Sequence, residues 1–147
     1  NNNWPGGDYK NYLRIYLPKD VNIAQIKVVD AGDVANFKIY NNNELRIKEV
    51  EGKKEIGFLV IVPILKKRIV EISYSSKIDL VGKTKFNYIS YIQKQSGSGE
   101  TGLVNLINYP GDWQPMQVQP VASLVGGKLL FNQKLNKDIK MGVELGK

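Results

Sequence analysis

Along most of its length the chain alternates apolar and polar residues with a period of two. In YLRIYLP, Leu13, Ile15 and Leu17 fall on one face of an extended strand, while Tyr12, Arg14 and Tyr16 fall on the other. The same rhythm recurs in VNIAQIKVV, VANFKIY, ELRIKEV, EIGFLVIV, KRIVEISY, FNYISYIQ, TGLVNLINY, GKLLFNQ and DIKMGVEL. These segments are rich in Val, Ile, Tyr and Phe, and Gly, Asn, Asp, Pro or paired lysines separate them. The pattern predicts about ten short strands and no helix, with starts roughly 8–15 residues apart. That spacing suits an all-β, antiparallel β-sandwich of immunoglobulin-like character, read as a single domain over residues 1–147.

Turn chemistry supports this reading. Asn41-Asn42-Asn43, Glu51-Gly52-Lys53 and Gly126-Gly127 are residues that accept the positive φ of tight turns, and each is read as a hairpin. Lys66-Lys67-Arg68, after Pro63, reads as a further solvated hairpin turn. Phe58 to Val62 is apolar on both faces, which predicts the centre of a sheet covered on both sides. The stretch from Lys77 to Lys85 is the one plausible internal boundary, read as a crossover between two sheets.

Composition narrows the chemistry. With 147 residues, 42% of them hydrophobic and 24% charged, the chain can bury a real core and is not expected to be disordered. It contains no cysteine and no histidine, which removes thiol nucleophiles, disulfides, the usual zinc sites and every imidazole-based triad. The formal charge of +7 comes from dispersed cations rather than a single basic arm, so a nucleic-acid partner is not expected. A basic surface facing anionic polymer or lipid accounts for it equally well. No apolar run is long enough to span a bilayer. The chain begins at Asn1, which reads as a piece of a longer protein and leaves room for a membrane segment outside it.

Several motifs have turn or strand alternatives. Gly97, Gly99 and Gly102 make a G-x-G-x-x-G, but LVNLINYP alternates after them and Pro110 ends it, where a dinucleotide site needs a helix. No acid lies between Asp112 and Asp138 to hold a ribose, so the glycines read as a hairpin loop and no cofactor is expected. Asp30 with Asp33, and the Asn41 to Glu44 run, lack calcium-loop spacing and read as turn polarity. Among 14 acids no pair stands out for glycoside hydrolysis. Lys38 is the candidate for an isopeptide crosslink; alternation sets it opposite Phe37 and Ile39, which predicts an exposed amine of ordinary pKa.

The aromatics remain. Tyr12 and Tyr16 share a strand face with Arg14, while Trp4 and Trp113 sit in the Pro- and Gly-containing loops NNNWPGGDY and YPGDWQP. Exposed rings stack on sugars or anchor in partner pockets. The alternative, cross-strand tyrosine pairs with tryptophans plugging the core, is favoured by how often large aromatics are buried.

NNNWPGGDYKNYLRIYLPKD, EIGFLVIVPILKKRIVEISY, YISYIQKQSGSG and FNQKLNKDIKMGVEL together resemble the carboxy-terminal region of bacterial envelope proteins of the family called domain of unknown function 4012. The most specific elements are Trp4-Pro5, Asn11-Tyr12 with Arg14 and Tyr16-Leu17-Pro18, and Gln93-Lys94-Gln95. Asp20 and Ser96 stand where relatives carry glycine and proline. The resemblance implies a membrane-anchored protein whose distal β-rich part lies outside the cytoplasm, and it implies no catalytic residue. The resulting expectation is a non-enzymatic extracytoplasmic structural or interaction module of the bacterial cell surface. Its alternative is a module that binds cell-wall polysaccharide through Trp4, Tyr12, Tyr16 and Trp113; another surface protein is the other partner considered. No catalytic, metal or cofactor residue is assigned.

An exposed Lys38 has no desolvated partner to condense with. The intact mass should therefore equal that of the sequence; a deficit of one water or one ammonia would reveal a crosslink.

Overall fold

Alternation becomes twelve strands in the computed structural model, which describes residues 7–94, 99 and 101–147. In chain order they are β1 (Tyr9–Pro18), β2 (Val21–Asp30), β3 (Asp33–Ile39), β4 (Arg46–Val50), β5 (Lys53–Val62) and β6 (Arg68–Ser76). There follow β7 (Lys85–Ile92), β8 (Thr101–Ile107), β9 (Gln114–Gln119), β10 (Ser123–Val125), β11 (Lys128–Leu135) and β12 (Ile139–Gly146). A single 3-10 turn at Asn42–Glu44 is the one helical element among the described residues. The all-β, antiparallel class stands. Ten strands were legible and two were not: β9 carries Pro115 and three glutamines, and β10 is three residues long, too short to show a period.

The chain divides into two compact units, Asn1–Ile78 and Asp79–Lys147, at a point inside the Lys77 to Lys85 stretch. Where the sequence suggested one domain and one core, each unit has a core of its own. In the first unit, one sheet has the order β1-β5-β4 and the other β3-β2-β6. Leu17, Val21, Ile26, Val28, Ile56, Phe58 and Val60 are buried together, and Val70 and Ile72 of β6 pack on them. Strands of both sheets supply this cluster, so the two sheets face each other across it. In the second unit the orders are β10-β11-β8 and β7-β12-β9, again all antiparallel. Its core is Trp113, Leu129, Phe131, Met141, Val143 and Leu145.

Two of the expected hairpins are present. Glu51 and Gly52, at φ 49° and 72°, close β4 onto β5, and Gly126 and Gly127, at 55° and 73°, close β10 onto β11. Paired positive φ values are what a two-residue hairpin needs to match strand twist, and glycine reaches them without steric cost. Three other expected hairpins are crossovers. The Asn41 to Asn43 turn joins β3 to β4, Lys66 to Arg68 joins β5 to β6, and the glycine-rich stretch joins β7 to β8; in each case the flanking strands lie in different sheets. Turn residues mark where a strand stops, not which strand receives the next one. Of the G-x-G-x-x-G, Gly97 lies outside the described residues and Gly102 is already in β8, so a strand follows the glycines.

The expectation for β5 is half met. It is the central strand of its sheet, with Ile56, Phe58 and Val60 fully in the core, but Leu59 and Ile61 face outward at 44% and 38% exposure. With only one core per unit, a sheet has one covered face.

Phe58 and Phe131 are each at or below 1% exposure in their own core. Replacing either by Ala should cost about 3–5 kcal/mol in chemical denaturation. Phe37→Ala, at a position half exposed on β3, should cost less than about 1 kcal/mol.

Candidate binding surface

Strand alternation sends Tyr12, Arg14 and Tyr16 to the outer face of the β1-β5-β4 sheet, with the tyrosines 46% and 51% exposed. Trp113, another sequence candidate, does not join them: it is 3% exposed in the core of the second unit, where its ring cannot reach a ligand. Trp4 lies outside the described residues.

Register builds the rest of the surface. From β1, Tyr12 stands opposite Leu59, Arg14 opposite Gly57 and Tyr16 opposite Glu55. From β4, Arg46 stands opposite the same Gly57 and Lys48 opposite the same Glu55. Two cross-strand rows result, Arg14–Gly57–Arg46 and Tyr16–Glu55–Lys48. Gly57 contributes no side chain, and the Tyr12 ring fills the gap: its Cζ and Cε1 lie 2.9 and 3.0 Å from where a Cβ would stand, with the hydroxyl closer still. The Arg14 guanidinium carbon is 5.6 Å from the Tyr12 ring centroid, within cation–π range.

Glu55 holds the second row together. It is 5% exposed, and a carboxylate so poorly hydrated must be paired. The Tyr16 hydroxyl donates to its Oε2 at 2.6 Å, and the Lys48 ammonium lies 3.2 Å from its Oε1. The Tyr16 hydrogen bond above all, and then Lys48, hold the Glu55 carboxyl below the usual carboxylate range against the opposing effect of burial. The same hydrogen bond pushes the Tyr16 hydroxyl up. The carboxylate is thus committed. Among the described residues Lys10, Arg14 and Arg46 form no ion pair, which leaves the exposed face cationic and aromatic.

The remaining candidates resolve as structural groups. Asp30 accepts from Arg68 Nε at 2.8 Å and from Asn36 Nδ2 at 3.0 Å, so its oxygens tie β2 to β6 on one side and to β3 on the other. Among the described residues no cluster of three or more acidic side chains converges as a metal site would require. Lys38 is exposed, but not for the reason alternation gave: it stands opposite the core residue Val28 on β3, whose residues are all exposed, while Phe37 takes the outer side. Nor is its pKa ordinary, because the ion pair with Glu44 raises it. A strengthened ammonium is a poorer nucleophile still.

Arg46, Lys48, Glu55 and Gly57 were not singled out from sequence. For β4 the signal existed, because the two-residue Glu51-Gly52 turn dictates that 48 meets 55 and 46 meets 57. For β1 it did not, since Tyr16 and Glu55 are 39 residues apart. Comparison of the chain with family models, with curated proteins and with solved structures finds no match.

Because the folded pKa of Glu55 is depressed, its contribution to stability is present above the unfolded value, near 4.5, and is lost as pH falls through the folded value. Thermal melts of the wild type from neutral pH to about pH 2 should therefore show a steeper acid-side decline than melts of Glu55→Gln. Parallel curves would show that Glu55 is not the group responsible.

Proposed function

We propose that the chain is a non-enzymatic interaction module of a bacterial cell-surface protein, acting outside the cytoplasm, and that the outer face of β1-β5-β4 is its contact surface. One observation carries this reading: two half-exposed tyrosines and two arginines without ion pairs stand on one rigid sheet face, with their geometry held from beneath by Gly57 and Glu55. Rings already fixed in place give a large contact area at little entropic cost. The extracytoplasmic assignment rests on the resemblance to envelope proteins, and the absence of cysteine is compatible with it.

The immunoglobulin-like assignment belongs to this proposal as well, now for each unit separately. In that fold one sheet contains the order D-E-B and the other contains C-F, with C′ or G added beside them. Taking β1, β2, β4, β5 and β6 as B, C, D, E and F makes β4-β5-β1 the first order and β3-β2-β6 the second, with β3 as C′. In the second unit β8 to β12 take the letters B to F, and β7 takes the place of G beside β12.

Polysaccharide rather than protein is the partner favoured by the tyrosines. Their four-residue spacing along β1 sets them about 13 Å apart, wider than one sugar ring and suited to an oligomer lying along the strand.

Sedimentation with isolated bacterial cell walls tests the reading. Tyr12→Ala and Tyr16→Ala should each weaken binding roughly 5- to 30-fold, the equivalent of about 1–2 kcal/mol. Tyr16→Phe, which keeps the ring and gives up the bond to Glu55, should retain more binding than Tyr16→Ala while melting at lower temperature. Wild-type chain that stays in the supernatant, or alanine variants that bind as the wild type does, would refute it.

A further inference from the structure

We infer that Arg14 and Arg46, set on either side of Gly57, bind the carboxylate groups of an acidic, uronate-bearing polysaccharide whose sugar rings lie on Tyr12 and Tyr16. The inference rests on the reading of this face as the contact surface and adds the chemistry of what it contacts.

The argument starts from the row itself. Arg14 and Arg46 both stand opposite Gly57, so no side chain of β5 separates them. Their Cα atoms are two strand spacings apart, about 9.5 Å, a distance that two long guanidinium side chains close easily. The side chain nearest the gap is Tyr12, whose hydroxyl end lies over Gly57 and offers a third donor. Guanidinium groups present planar, forked donors that match a carboxylate in bidentate fashion. Two of them beside a phenol form a site complementary to an anion.

Charge on the same face points the same way. Lys10, Arg14, Arg46, Lys48 and Lys53 share this face with Glu55, which Lys48 pairs and Arg14 also stabilises, and Glu51 in the adjoining turn is within electrostatic reach of Tyr16. The face therefore carries more cations than acids, which favours an anionic partner over a neutral glycan. The rings on either side of Arg14 select among anions. Flat phenols stack on the C–H faces of pyranose rings, which a polyol phosphate lacks. A polymer with carboxylates on sugar rings uses the arginines and the tyrosines together. Gly57 is required because a Cβ there would displace the Tyr12 ring from the gap.

The test titrates the full chain with an oligogalacturonate and compares it with a neutral glucan oligomer, poly(glycerol phosphate) and a single-stranded oligonucleotide of similar length. The oligogalacturonate should bind tightest, and raising salt from about 50 to about 500 mM should weaken it strongly. Arg14→Gln and Arg46→Gln should each cost about tenfold or more. Gly57→Ala, with the Tyr12 ring displaced, should weaken binding with little change in melting temperature. Lys66→Gln with Lys67→Gln, which removes two charges from a distant crossover where each arginine variant removes one, should leave affinity within about twofold. The inference is overturned if the neutral glucan, the polyphosphate or the oligonucleotide binds as tightly, or if the lysine variant loses as much as the arginine variants. Should cell walls still sediment the chain through Tyr12 and Tyr16 while oligogalacturonate does not bind, the carboxylate inference fails and the contact surface stands. If neither binds, both fail.

Discussion

The antiparallel pairing of β1 with β5, from Tyr9 opposite Val62 to Pro18 opposite Lys53, is the constraint on which both the first core and its outer face depend. Side chains alternate along a strand, so a slip of one residue would exchange every inward position for an outward one. In the observed register Leu13, Ile15 and Leu17 turn toward Ile56, Phe58 and Val60. In a slipped register Tyr12, Arg14 and Tyr16 would turn inward instead, and Arg14 would enter the core without a carboxylate. A buried unpaired charge costs far more than the packing could return. The choice that fills the core is therefore the same choice that displays the cations and rings.

Glu55 shows how a central strand can carry a nearly dry carboxylate. Being in the middle of its sheet, β5 receives a hydroxyl donor from β1 and an ammonium from β4. An edge strand could draw on only one neighbour. The exposed pair Lys38–Glu44 differs in kind: both partners are well hydrated, and such pairs contribute little to stability. Pairing at Glu55 also has a chemical consequence, since Lys48 and Tyr16 occupy a carboxylate that would otherwise compete more strongly for Arg14 and Arg46.

Three-stranded sheets with one core face leave apolar residues on the other face, and the first unit manages some of this locally. Val29 lies on the outer side of β2 yet is 2% exposed, flanked across the sheet by Phe37 on β3 and Ile69 on β6. The Lys27 ammonium sits 4.7 Å from the Phe37 ring centroid and 3.7 Å from Glu71, and its alkyl stem adds cover. Half-exposed Phe37 and Ile69 are part of a small surface cluster rather than a failure of patterning.

Period-two alternation is a property of neighbouring residues, so the all-β class, ten of the strands, the sharing of one strand face by Tyr12, Arg14 and Tyr16, and the Glu51-Gly52 and Gly126-Gly127 hairpins were legible from the sequence alone. The same local logic could not tell the three crossovers from hairpins, nor find β9 and β10, where no period is written. The division into two units and the alignment of Arg14 and Arg46 across Gly57 were decided only in the tertiary structure. The physical reason is that a residue's own alternation determines which face of its strand it occupies. Which strand lies alongside is settled by the burial of whole faces, summed over residues that are tens of positions apart.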